Sequence, residues 1–387
     1  MAARHAGRAA RELGYTQGEL ALSEFHDDES FFGMMYWKLV AIILTGWLVA
    51  MAVSNGWHLL IDWWQVPLTM AFGSFVAGFS AEGGGAVAFP VFTKILGIEP
   101  NEARQFSLLI QSVGMSTASF VIVYRKTPFY AFAILPAVAG GAVGQALSFS
   151  MGWIISGVHL KWLFSITGAA LGAALLLQHH SGVERKDWVD EKAGRPLLFC
   201  SGLIGGFLAI NIGCGADIIA FILLTLILGS TEKKATPTTV IIMALNSIIG
   251  VVIISLTGEL SGWAVSAWKT AIPVVIFGAP LGAFMAARAE NAVILYALVA
   301  FIGIELASTI LIVPLQSWVI PVAVAINACM CGIVAWKYCR QNIFRKPPEN
   351  EQNQDSRHRC NRHGFETDHP RPAALPIVRS SSDTGQK

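Results

Sequence analysis

The clearest shortage in this sequence of 387 residues is charge, since Asp, Glu, Lys and Arg make up only 13% of it. Soluble domains carry roughly 25%. A chain with so few charges and 54% hydrophobic residues is not a soluble globular protein. Several apolar stretches exceed the roughly 20 residues that a helix needs to cross a bilayer. The composition therefore predicts an all-α, polytopic membrane protein with the lipid bilayer as a partner.

The sequence also lacks the residue clusters that other functional classes require. Its six cysteines are scattered, and no CxxC spacing suggests a disulfide framework or a metal site. The apolar stretches contain no His-rich metal cluster, no nucleophile elbow and no paired catalytic histidines, so we expect no enzyme, no metal and no cofactor. The formal net charge of +2 says little about partners, and we expect no nucleic acid among them.

Eight apolar stretches are predicted to cross the membrane as helices. They cover residues 34–54, 106–124, 128–153, 160–178, 237–257, 263–287, 292–313 and 318–339. We divide the chain into a polar leader (1–33), a first span with its interfacial loop (34–65), repeat 1 (66–178), a charged cytoplasmic loop (179–195), repeat 2 (196–313), a last span (314–339) and a tail (340–387). The tail is too polar to pack and is expected to be disordered.

Two further apolar stretches are interrupted by polar residues and glycines. Ser80–Gly85 (SAEGGG) breaks the first, and Asn211–Asp217 (NIGCGAD) breaks the second. A broken helix leaves backbone N–H groups free, and glycine lets them converge on a ligand. The half-helix after each break also points its positive dipole end at the break. The two breaks therefore predict an anion site, although close helix packing or a kink is the commoner role of membrane glycines.

The surroundings of the two breaks recur in the same order. Gly97 lies six residues before Ala103, and Gly229 lies six residues before Ala235. Each break is followed by three predicted spans, which is the pattern of secondary transporters with internal repeats. Positive residues collect in cytoplasmic loops, and the loop 179–195 lies inside only if both broken segments re-enter without crossing. This predicts inverted repeats, two re-entrant segments and cytoplasmic termini.

The segment Gly78–Pro90 (GFSAEGGGAVAFP) and the downstream Ser107 resemble the first signature of the TauE/SafE, or sulfite exporter, family of permeases. The segment Gly202–Gly215, followed by Thr236, resembles its repeated signature, and the resemblance runs from about residue 66 to 313. It implies transport of sulfite, sulfonates or related small organosulfur anions. The residues that it implies for the substrate site are Gly83, Gly84, Gly85, Pro90, Ser107, Gly213, Gly215 and Thr236.

Polar residues in the spans and breaks enlarge this set of candidates. The full substrate-binding set is Ser80, Gly83, Gly84, Gly85, Pro90, Ser107, Gln111, Asn211, Gly213, Cys214, Gly215, Thr236 and Asn246. For Gln111 and Asn246, hydrogen bonds between helices are the commoner use. Glu305 lies inside a predicted span, where it is expected to pair with Lys269 or Arg288, or else to carry protons.

Three residues depart from the family pattern: Glu82 lies where small or apolar residues are usual, Cys214 interrupts the second glycine run, and Asp217 adds a second acid. Glu82 and Asp217 are the two acids among them. Two roles remain open for them, which are coupling of anion movement to protons and capping of a half-helix. The sequence thus predicts a plasma-membrane permease that moves a small anion by alternating access at a midplane site. A passive anion channel is the alternative, and a membrane-embedded enzyme or scaffold is disfavoured. A homo-oligomer is left open.

Overall fold

The computed structural model describes residues 34–80, 88, 90–152, 157–180, 191–213 and 216–344. The chain divides into two compact units, Met1–Tyr338 and Cys339–Lys387, and the candidate membrane spans belong to the first. The regular elements of the described residues are helices. The α-helices are α1 (Met34–Val53), α2 (Gln65–Phe79), α3 (Pro100–Tyr124), α4 (Ala131–Ser150), α5 (Gly157–His180), α6 (Glu191–Ile212), α7 (Ala216–Ile222), α8 (Glu232–Thr257), α9 (Gly262–Arg288), α10 (Asn291–Ile312) and α11 (Val319–Phe344). A short turn and a one-turn helix, Gly56–His58 and Leu59–Asp62, link α1 to α2.

Nine helices of the described chain are long and apolar enough to cross a membrane, which confirms the polytopic all-α prediction. Eight of them correspond to the predicted spans. The ninth is Gly194–Asn211, within α6, which begins at Glu191 and is therefore longer than the sequence suggested. The helices α2 and Ile218–Ile227 are shorter apolar helices.

Each break is followed by a wide, π-helical turn, Val91–Ile95 in the first half and Leu223–Ile227 in the second. In both, the amide just after the turn donates to the first carbonyl of the turn, at 3.0 Å and 2.8 Å respectively. The amide two residues farther on donates to the second carbonyl, at 2.9 Å and 2.8 Å. Gly97 and Gly229 lie between these two amides with φ of 68° and 78°. The backbone therefore repeats along with the sequence.

The broken helices pack reciprocally, because α2 lies against α9 of the other half and α6 lies against α4. The backbones touch at small residues in both places. A Cβ on Gly78 of α2 would lie 1.9 Å from the carbonyl oxygen of Ala279, and one on Gly144 of α4 would lie 2.0 Å from that of Leu203. Small residues permit such contacts between membrane helices. The inverted orientation of the halves stays a prediction.

The spans that follow the π-helical turns form the centre of the assembly. In the most apolar part of α3, 67% of the residues are buried, and the share is 56% in both α8 and α9. In contrast, only 17% of the residues in the apolar part of α1 are buried, and only 12% in that of α11. Both helices therefore lie at the periphery. The first turns of α3 and α8 belong to this buried centre.

Candidate functional site

The described part of the second break lies against the first turns of α3. Gly213 follows the last residue of α6 with φ of 85°, and its amide donates to the Ala209 carbonyl at 2.8 Å. A Cβ on Gly213 would lie 2.6 Å from Cβ of Ser107 and 2.8 Å from the Arg104 carbonyl oxygen. Both the left-handed backbone and the lack of space require glycine here. The structure thus brings together the predicted residues Gly213 and Ser107.

Ser107 is fully buried at this contact, and its hydroxyl donates to the Ala103 carbonyl at 3.0 Å within α3. A hydroxyl has one hydrogen to donate and two lone pairs that accept. Its proton must therefore turn away from Ala103 before Ser107 can donate to an anion. In the described state it acts as a small polar surface beside the break.

Arg104 is the candidate that sequence reasoning missed. Its guanidinium donates through Nη1 to the Ile210 carbonyl, in the last turn of α6, and through Nη2 to Oδ1 of Asn101. The residue is only 5% exposed, and its Nε–H has no partner among the described residues. The predicted span began only at residue 106, whereas α3 begins at Pro100. Proline at the first helical position is the signal that would have found this start.

The charge of Arg104 is only partly compensated. Glu259 attracts the guanidinium, but among the described residues no carboxylate accepts a hydrogen bond from it. The C-terminal end of α6 carries a partial negative charge, which a nearby cation stabilises. Arg104 therefore caps α6 and brings a full positive charge to the second break. An anion is the ligand that such a site favours.

The predicted polar residues that begin the two breaks form hydrogen bonds at the ends of the preceding helices. Both the amide and the hydroxyl of Ser80 donate to the Val76 carbonyl, at 2.9 Å and 3.0 Å, at the end of α2. The side-chain amide of Asn211 donates to Oγ of Ser148 on α4 and to the Phe207 carbonyl, both at 2.9 Å. The Ser80 bonds close the end of α2, whereas the bond from Asn211 to Ser148 connects the end of α6 to α4.

Gln111 lies on α3 where that helix contacts α8, and Asn246 lies on α8 where that helix contacts α4. Gln111 Oε1 accepts from Ser247 Oγ at 3.1 Å, while its Nε2 has no partner among the described residues and lines a cavity of about 10 Å³. That space is about the size of one water molecule. The Asn246 backbone carbonyl accepts from Gln145 at 3.0 Å, and its side chain fills the space above Gly141. Asn246 therefore has a structural role, and substrate contact stays a prediction for both.

Thr236 occupies in α8 the place that Arg104 has in α3, since each follows the matched alanine. It is 1% exposed, and its hydroxyl has no hydrogen-bond partner among the described residues. Pro90 lines a cavity of about 170 Å³ together with Lys94 and Glu305. The other predicted residues, Glu82, Gly83, Gly84, Gly85, Cys214 and Gly215, lie outside the described residues. For Asp217 only the helical backbone is described.

A second polar cluster surrounds Glu305, and its ion-pair partner differs from those predicted. Lys94, in the first π-helical turn, lies 3.1 Å from Oε1 of Glu305, and the two side chains are 1% and 9% exposed. The predicted partner Arg288 lies instead over the Phe284 ring, 3.6 Å from its centroid. The ion pair was predicted, but its predicted partners were wrong, because Lys94 is distant in sequence and no local pattern connects it to α10.

The comparison with known families agrees with this architecture. The family model described as sulfite exporter TauE/SafE matches residues 66–306, which is more than half of the chain. The chain belongs to the TauE/SafE family. The match begins at the second residue of α2 and ends in α10, so this TauE/SafE protein carries both breaks inside the matched region. No curated protein and no solved structure matched the chain significantly. The family is one of membrane transporters.

Proposed function

We propose that this protein is a secondary transporter for a small anion, with sulfite, a sulfonate or a related organosulfur anion as substrate. The anion binds between the two glycine-rich breaks and crosses by alternating access. The observation that carries this proposal is Arg104, whose backbone contacts Gly213. Its buried guanidinium lies at the end of α6, and its Nε–H has no partner among the described residues. An unused N–H on a cation is costly to bury without an acceptor, and an oxyanion supplies one.

The two breaks have matching surroundings, which supports a site between them. Each break is preceded by a helix that packs on a span of the other half, and each is followed by a π-helical turn. In secondary transporters, interrupted helices of two repeats meet at a shared substrate site. The proposal places the protein in the cell membrane with cytoplasmic termini and the two repeats in inverted orientation.

The proposal is tested by counterflow in proteoliposomes that contain the purified full-length protein. Sulfite, sulfate, thiosulfate, taurine and sulfoacetate are each loaded inside, and uptake of the same labelled anion is followed. A transporter gives saturable uptake that the trapped anion accelerates. A passive channel gives flux that does not saturate, and absence of flux for all five anions contradicts the proposal.

A further inference from the structure

The cluster around Lys94 and Glu305 joins three elements next to the first break. Lys94 lies on the π-helical turn, and it uses its three donors on Glu305 Oε1, on Ser308 Oγ at 2.9 Å and on Thr309 Oγ1 at 2.6 Å. Ser165 of α5 donates to the same Glu305 oxygen at 2.9 Å. An ammonium has three hydrogens, so Lys94 is fully satisfied in this state.

The other charged group near this pair is also a cation. Lys161, one turn before Ser165 on α5, lies close enough for its charge to repel that of Lys94. From α2, Phe72 lines the cavity beside the pair and carries no charge, and Ser308 and Thr309 of α10 are neutral. Among the described residues, the charged groups of this cluster are therefore two cations, Lys94 and Lys161, and one carboxylate, Glu305.

Separating the pair has a high cost unless a proton is taken up. Removing one partner of a buried ion pair is strongly destabilising, because the other charge is left uncompensated. A proton on Glu305 removes that charge. The cavity of about 170 Å³ beside the pair, lined by Pro90, Phe72 and Phe301 among others, gives the two side chains room to part.

Lys94 is attached to the segment that follows the first break, whereas Glu305 belongs to α10. Any movement of the broken segment relative to α10 must therefore lengthen or break the pair. The second π-helical turn has no charged residue at the corresponding place, because Leu226 lies there and is buried in the apolar core. The charged link is thus a property of the first half.

We propose that the Lys94–Glu305 pair is the proton-coupling site of the transporter. Glu305 takes up one proton from water when Lys94 leaves it, and it returns that proton to water when the pair forms again. This inference rests on the proposed anion transport, and it assigns coupling to Glu305 in place of Glu82 and Asp217. A pair with a purely structural role would change stability but not the number of protons moved with each anion.

The test measures counterflow and proton movement separately in the same proteoliposomes. Counterflow is recorded with sulfite, sulfate, thiosulfate, taurine and sulfoacetate. Proton movement into weakly buffered liposomes is recorded with a trapped pH dye, using each anion that counterflow shows to be carried. The variant is Glu305→Gln, which keeps an acceptor for Lys94 but cannot take up a proton. Glu290→Gln, at an exposed position between α9 and α10, is the matched control.

The expected result is that Glu305→Gln retains counterflow but moves no more protons than protein-free liposomes, while Glu290→Gln behaves as the natural protein. The double variant Lys94→Gln with Glu305→Gln removes both charges, and it is expected to show the same uncoupled behaviour if the single variant folds poorly. Thermal unfolding of each variant shows which ones are folded.

Several results would overturn the inference. One is anion-driven proton movement by Glu305→Gln or by the double variant at the level of the natural protein. Another is loss of counterflow in both variants, which would place the pair in the transport path itself. Counterflow without proton movement in the natural protein would also overturn it but leave the proposed function intact. Absence of counterflow for every anion would overturn the proposed function and this inference with it.

Discussion

The two halves of the molecule share a backbone but differ in their chemistry. Both have a broken helix, a π-helical turn with the same hydrogen bonds and a buried span that begins just after it. At matched positions, however, the first half has Lys94 and Arg104 where the second has Leu226 and Thr236. The shared backbone therefore forms without a charge at these two positions. The cations of the first half are additions that call for a functional explanation.

The largest expected effect comes from making the first half resemble the second. Lys94→Leu leaves Glu305 buried without its ion-pair partner, so we expect a loss of about 3–5 kcal/mol in the free energy of unfolding. The double variant Lys94→Leu with Glu305→Leu removes both charges and should recover most of that loss. Unfolding in detergent, followed by circular dichroism against denaturant, measures both. Equal losses in the single and double variants would show that the pair does not stabilise the fold.

A smaller loss is expected from Gly213→Ala at the second break. Alanine there would adopt a strained positive φ and would also press on Ser107 and Arg104. Backbone strain alone costs on the order of 1–3 kcal/mol. We expect loss of counterflow together with reduced thermal stability. Gly97→Ala is the control, because its φ is also positive but nothing lies within 4 Å of its Cβ. Similar effects of the two substitutions would contradict the close contact.

Arg104→Gln tests whether the charge beside the second break binds the anion. Hydrogen bonds to charged groups contribute about 1.5–3 kcal/mol, which corresponds to a rise of about 10- to 100-fold in the KM for transport. Thr236→Val, at the matched position of the second half, should raise KM less because a neutral hydroxyl is lost. Initial rates of uptake against anion concentration give both values. An unchanged KM in Arg104→Gln would leave this residue with only its capping role.

The smallest expected effect tests the equivalence of the two scaffolds. Gly97→Ala and Gly229→Ala each place a side chain at a positive φ just after a π-helical turn. We expect each to lower the free energy of unfolding by about 1–2 kcal/mol, and by similar amounts. The same chemical denaturation compares them. A clear difference between the two would mean that the matching hydrogen bonds do not reflect matching stability.

The fold class could be predicted from the sequence because membrane spans and breaks depend on local composition. Apolar length identified eight of the nine candidate spans. The ninth, Gly194–Asn211 in α6, was assigned to a re-entrant segment because of the break at Asn211 and the positive charge of the loop before it. The contact of Gly213 with Ser107 follows from the packing of α6 near α3, and no local pattern encodes it. For the same reason, Lys94 was not recognised as the partner of Glu305.

The reciprocal packing of α2 on α9 and of α6 on α4 has a consequence for biosynthesis. The surface of α2 that contains Gly78 is made for a helix that leaves the ribosome only after most of the chain has been inserted. Until then α2 has no native partner for that surface. The contact of α2 with α9 therefore forms later in synthesis than the contact of α6 with α4. An insertion intermediate that ends before Gly262 should expose α2 to quality-control proteases in the membrane.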